Sequence, residues 1–131
     1  MEKTVKLIIG GYAQGKLNYV LQKYHLAESR VYDGVLPDEA KCGKETVIVN
    51  HFHIWVRNAV LNKGCPENEI LSFLARCDNC ILISDEIGNG IVPADPFERE
   101  YRERTGKILV KLAGRAEEVE RVLCGIGQKI K

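Results

Sequence analysis

The stretch Leu7-Ile8-Ile9-Gly10-Gly11-Tyr12-Ala13-Gln14-Gly15-Lys16-Leu17 constrains the fold of this chain more than any other. An apolar run of strand length ends in a glycine-rich turn, and a helix-compatible segment follows directly from Asn18 to Leu26. Gly10, Gly15 and Lys16 fit the pattern G-x-x-x-x-G-K, in the strand–loop–helix context that gives the pattern its meaning. A loop built on glycine lets successive backbone N–H groups turn inward on a phosphate, and the N-terminus of the new helix adds partial positive charge. Lys16 then reaches the outer phosphates as a point charge. The expected nucleotide-binding set is Gly10, Gly11, Tyr12, Ala13, Gln14, Gly15, Lys16 and Leu17. Leu17 departs from the pattern, which has Ser or Thr there because the hydroxyl helps hold magnesium. Leucine offers no oxygen, so phosphate binding is expected while support for Mg2+ is weakened.

Around this loop the chain reads as alternating strands and helices. Val5 to Ile9 reads as a strand, apolar except for Lys6, the mark of a buried parallel sheet. Leu17, Val20, Leu21 and Tyr24 recur at helical spacing and predict a first helix over 16–27. Arg30 to Tyr32 reads as a short second strand, and 35–45 as a loop or one short helix starting at Pro37. Thr46 to Val49 is the third strand, and His51 to Asn62 a helix stopped by Gly64. Pro66 opens another helix to about Cys77, and Cys80 to Ser84 is the fourth strand. After a loop from Asp85 to Pro93, Asp95 and Pro96 form an N-cap and N1 pair for a charged helix reaching about Ala116. Val119 to Cys124 is the fifth strand and Gln128 to Ile130 a candidate sixth. The expected fold is α/β: a single three-layer, P-loop NTPase-like domain over 1–131 with a mostly parallel sheet.

A chain of 131 residues suffices for one such core. Its formal net charge of +1 supplies no basic coat, so neither nucleic acid nor a membrane surface is an expected partner. No apolar run approaches the ~20 residues of a membrane-spanning helix, and no export-signal pattern opens the sequence. The five cysteines read as reduced thiols in the cytoplasm. Cys77-Asp78-Asn79-Cys80 has the C-x-x-C spacing, but it runs into a buried strand without a second pair and is expected as two core thiols. Phe52, Trp55 and Phe73 are expected in the core.

Several stretches together resemble one family, the bifunctional adenosylcobinamide kinase / adenosylcobinamide-phosphate guanylyltransferases of cobalamin biosynthesis. Gly10 to Lys16 is similar to that family's G-G-x-x-S-G-K-S, and Ile54-Trp55-Val56-x-Asn58 to its D-C-L-T-x-W-L-x-N segment. Ser84-Asp85-Glu86-Ile87-Gly88-Asn89-Gly90-Ile91-Val92-Pro93 resembles its S-N-E-V-G-x-G-I-V-P, followed by Arg99-Glu100-Tyr101-Arg102 and Gly106. The tail from Ala116 to Lys131 resembles its last strand and terminus. The chain is thus identified as a shortened, divergent member. The resemblance implies ATP or GTP as the nucleotide, a corrinoid hydroxyl as phosphate acceptor, and a homo-oligomer. Lys16 and Glu86 are then the expected catalytic residues, Glu86 supporting metal or substrate.

The departures from the family pattern are as informative. Leu17 stands for the magnesium-binding Ser, Asn50 for a strand-ending Asp, His53 for a Thr, and Asp85 for an Asn. Asp85 could return some of the negative charge lost at Asn50. The family's nucleophilic histidine lies in a segment H-R-x-R-P-x-x-W between the second and third strands, and the interval from Val35 to Glu45 has neither histidine nor tryptophan. Guanylyltransferase activity by that mechanism is therefore not expected. An inactive member, binding nucleotide as a regulatory or scaffold subunit, is the alternative. Asp85, Arg99, Arg102 and His53 are the remaining substrate or phosphate candidates. Arg99 and Arg102 lie three apart on one helix face and suit a phosphate, or salt bridges along their own helix. Glu86 suits a site or a pairing with either arginine. His51 and His53, flanking Phe52 at a strand end, would share one side as site-lining or capping residues; no metal site is expected there.

Overall fold

The computed structural model describes residues 4–38, 45–86 and 94–131. A six-stranded sheet in the order β2-β3-β4-β1-β5-β6 forms its middle layer. These strands are β1 (Thr4–Gly10), β2 (Val31–Asp33), β3 (Val47–Asn50), β4 (Asn79–Asp85), β5 (Glu118–Leu123) and β6 (Ile126–Lys129). Every pairing is parallel except β5 with β6, an antiparallel hairpin. The hairpin turns through Cys124 and Gly125, both with positive φ. That is the turn geometry that matches strand twist.

The helices cover both faces, as uniformly apolar strands require. On one face α1 (Lys16–Tyr24) packs Val20, with Leu17, Tyr19 and Leu21, against Ile8, Ile48, Ile81, Ile83 and Val122. The other face carries α2 (Phe52–Leu61), α3 (Pro66–Arg76) and α4 (Pro96–Arg115). There Phe52, Val56, Ile70, Phe73, Ile108 and Leu112 pack on Leu7, Val49, Leu82 and Val119. Phe52 and Phe73 are fully buried, and Trp55 is partly buried and stacked on Phe52. Cys77 and Cys80 are buried core thiols, as the sequence suggests.

β2 and β6 sit at Val31–Asp33 and Ile126–Lys129 rather than the expected 30–32 and 128–130. Two helix ends differ from the sequence expectation where the backbone turns left-handed. The first helix ends at Tyr24 rather than near 27, because His25 takes a left-handed C-cap and its N–H bonds Leu21 O. Gly64 does not itself turn the chain after α2. Lys63 is the left-handed residue (φ 56°). The N–H groups of Lys63 and Gly64 close on Val60 O and Ala59 O, a Schellman stop with the glycine one position later than expected. Asp95 caps α4 as anticipated, its Oδ1 accepting the Phe97 N–H at 2.9 Å. The expectations for 39–44 and 87–93 lie outside the described residues.

Within α4, Gly106 and Gly114 have no neighbouring atom within 4 Å of where a Cβ would stand. A helix-interior glycine of this kind carries only its entropic cost. Gly106→Ala is expected to raise stability by about 0.5–1 kcal/mol, read as a higher urea midpoint with unchanged slope.

Candidate functional site: the phosphate-loop cleft

Parallel pairing brings the carboxyl ends of the strands to one edge of the sheet. Gly10, the last residue of β1, stands opposite Asp85, the last residue of β4. Asn50 ends β3 two strands away. Above them the loop of residues 11–15 opens a cleft of about 330 Å³ lined by Tyr12 to Asn18, Asn50, His51 and Asp85. This is the edge at which open α/β sheets place their ligands.

The loop's conformation follows from its glycines and two anchors. A Cβ on Gly10 would come within 2.5 Å of Val122 O on β5, so only glycine lets β1 run this close beneath the loop. Gly15 sits at φ 80° as the residue before α1, and Ala13 is also left-handed at 55°. Gln14 ties the loop to the β5–β6 turn: its main-chain O accepts the Gly125 N–H and its Oε1 the Cys124 N–H, both at 2.8 Å. The helix behind is fixed to β5 by Tyr19 and Lys23, which both donate to Glu120, and by Tyr24, which donates to Glu118. The first turn of α1 has no acidic residue and no side-chain cap, and its residues Lys16, Leu17 and Asn18 line the cleft.

Lys16 is the charge at the centre. Its side chain is only 8 % exposed, and Nζ donates to Gly11 O at 2.6 Å and to Asp85 Oδ1 at 2.8 Å. Behind Asp85 lies His53, 5 % exposed. His53 Nδ1 accepts the Asp85 main-chain N–H at 3.1 Å, and Nε2 stands 3.3 Å from Asp85 Oδ2. Accepting at Nδ1 fixes the neutral tautomer with its proton on Nε2, where it faces the carboxylate. Burial pushes the His53 pKa below its usual 6.5, with the Asp85 charge opposing and His51 and Lys16 adding to the depression. An unfolded chain therefore takes up a proton at His53 at a higher pH than the folded one. This contribution to stability is intact above about 6.5 and is lost as pH falls through the folded value, at no more than about 1.4 kcal/mol per pH unit. Urea midpoints between about pH 7.5 and about pH 5.5 are expected to fall, and His53→Gln to remove that part of the slope.

The remaining candidates are placed as follows. His51 and His53 do not lie on a strand, because β3 passes straight into α2: His51 is its left-handed N-cap and His53 stands in its first turn. Their rings meet edge to face at 5.7 Å. His51 and Asn50 both bond Asp33 Oδ1. Glu86 forms a two-pronged pair with Arg121 of β5, at 2.6 and 3.2 Å, a partner not anticipated from sequence. Its main-chain N–H bonds Gly10 O, which ties the end of β4 to the loop. Arg99 is exposed on α4, and Arg102 lines a separate groove along α4 with Glu67, Glu103 and Arg104. Neither arginine lines the phosphate-loop cleft among its described residues.

The six-stranded sheet, its helical layers and the loop after β1 define a P-loop NTPase-like α/β protein. Within that class the chain belongs to the family described as cobinamide kinase / cobinamide phosphate guanyltransferase, whose model matches residues 21–130. The match begins just past the phosphate loop. Two curated relatives are both bifunctional adenosylcobalamin biosynthesis proteins named CobU. The one from Salmonella typhimurium is 39% identical over 69 residues, 50% of this chain and 38% of that protein. The one from Escherichia coli is 42% identical over 67 residues, 48% of this chain and 37% of that protein. The matched stretch thus spans well under half the length of either relative.

Proposed function

We propose that the cleft binds the phosphates of a purine nucleotide, ATP or GTP, and that the chain serves cobalamin biosynthesis as a relative of cobinamide kinase. The observation that carries this reading is Lys16, a buried cation lining the cleft at the start of α1, whose first turn has no side-chain cap. Gly10 to Leu17 supply the phosphate cradle. Tyr12, 84 % exposed at the rim, offers an aromatic face on which a purine can stack. In this reading the terminal phosphate passes to a corrinoid hydroxyl, Lys16 neutralising charge on the transferred group and Glu86 contacting the substrate. The absence of histidine from 35–45 leaves the guanylyl-accepting role without its usual residue.

The magnesium that such chemistry implies does not fit the residues present. Leu17 packs its side chain toward the sheet and has no oxygen to offer. Asn50 donates its amide to Asp33, Asp85 is committed to Lys16 and His53, and Glu86 to Arg121. Among the described residues no group of three His, Cys, Asp or Glu side chains could hold a metal ion. This donor set favours the second reading: a catalytically inactive nucleotide-binding member acting as a regulatory or scaffold subunit. Self-association, which the family resemblance implies, has an apolar strip available in Leu123 and its cross-strand partner Ile126, 58 % and 72 % exposed.

Calorimetric titration of ATP and GTP with and without magnesium tests both readings. Micromolar binding that strengthens with magnesium, together with phosphorylation of cobinamide, establishes the kinase. Binding that needs no magnesium and brings no transfer establishes the regulatory member. No binding at millimolar nucleotide removes both.

A further inference from the structure

Two of the positions that depart from the family pattern, Asp85 and His53, meet at Lys16: Asp85 pairs with the lysine and His53 lies behind Asp85. At the resting site the lysine is already satisfied: Asp85 Oδ1 at 2.8 Å and Gly11 O at 2.6 Å take two of its three donors. Its counterion lies against one imidazole, whose Nδ1 accepts the Asp85 main-chain N–H and whose Nε2 stands 3.3 Å from Oδ2. This carboxylate therefore takes the face of Lys16 that the G-x-x-x-x-G-K pattern turns toward the outer phosphates. Its place is set by the register of β4 against β1, not by a flexible arm.

We propose that Asp85 is an internal competitor for the phosphate site and that His53 is the positioning residue that holds it there. A phosphate group enters by displacing the Asp85 carboxylate from Lys16. The exchange is one anion for another, so it favours ligands that bring more charge than one carboxylate. A metal-free di- or triphosphate displaces Asp85 better than a monophosphate, and better than the same nucleotide with magnesium masking its charge. His53 remains neutral throughout and keeps the displaced carboxylate by its Nε2–H. This inference rests on the reading of the cleft as a phosphate site, and it reverses the usual sense of an acidic residue beside such a loop. Here the acid opposes the nucleotide.

The test is calorimetric titration of ATP in EDTA into the wild-type protein, Asp85→Asn, His53→Gln and the double variant. Asp85→Asn is expected to bind ATP about tenfold more tightly, and His53→Gln to tighten it by a smaller factor. The double variant is expected to bind no tighter than Asp85→Asn alone. That non-additivity would show that His53 acts through Asp85; a merely structural effect of His53 would add to it. Unchanged or weaker binding by Asp85→Asn overturns the proposal while leaving the wild-type phosphate site standing. Failure of every protein to bind ATP removes the phosphate reading itself. A second measurement needs no variant: magnesium added to wild-type protein is expected to weaken ATP binding, and a strengthening overturns the proposal even if Asp85→Asn does not fold.

Discussion

Lys16→Ala is expected to weaken ATP binding by roughly a hundredfold, equivalent to about 2.7 kcal/mol. The size follows from what the side chain offers. Hydrogen bonds to a charged partner contribute about 1.5–3 kcal/mol each, and Lys16 is the one lysine or arginine lining the cleft among its described residues. Its ammonium is buried with its stem against the loop, so no neighbouring cation substitutes for it. The variant also strips Asp85, whose side chain is 18% exposed, of its cation. A loss of stability should therefore accompany the loss of affinity. Circular dichroism before titration separates the two: a folded Lys16→Ala that still binds ATP with wild-type affinity would take the lysine out of the site.

The second large effect is structural and lies one strand away. Gly10→Ala would place a Cβ 2.5 Å from Val122 O, a backbone atom of the neighbouring strand, and 3.3 Å from the Lys16 side chain. A side-chain end can turn aside, whereas a carbonyl within a sheet moves only with its strand. The expected cost is about 2–3 kcal/mol, seen as a urea midpoint lowered with little change in slope. Because the residue that must shift is also the foot of the phosphate loop, nucleotide affinity should fall as well. A Gly10→Ala protein as stable as wild type would mean that β1 and β5 are not as close as this register places them.

Much of this architecture can be read in the sequence because strong local signals agreed with tertiary demands. Leu7 to Ile9, Val47 to Val49 and Cys80 to Ile83 are unbroken apolar runs, and they became the strands covered on both faces. Asp95-Pro96 announced α4 through cap chemistry alone. Gly10 and Gly15 were legible as glycines that the backbone demands, one for the close approach of β5 and one for a left-handed turn. What stayed hidden depended on distance in sequence or on strain. Nothing local shows that Gln14 would brace the turn at Cys124–Gly125, or that Arg121 would reach Glu86. Left-handed Lys63 defies residue preference, and His51, though of a type that tolerates positive φ, carries no local signal that it must adopt it. The pairing of His53 with Asp85 was open to sequence reading only as two separate departures. It took the register of β4 and the immediate start of α2 to make them one unit.

The central claim is that the loop from Gly10 to Leu17 holds nucleotide phosphates and that Lys16 turns from Asp85 to meet them. A crystal structure of the protein grown with a non-hydrolysable ATP analogue in EDTA addresses it directly. The account predicts phosphate oxygens on the N–H groups at the start of α1, with Lys16 Nζ on phosphate and Asp85 retained by His53 alone. An analogue bound elsewhere on the protein, with Lys16 still paired to Asp85, would contradict it.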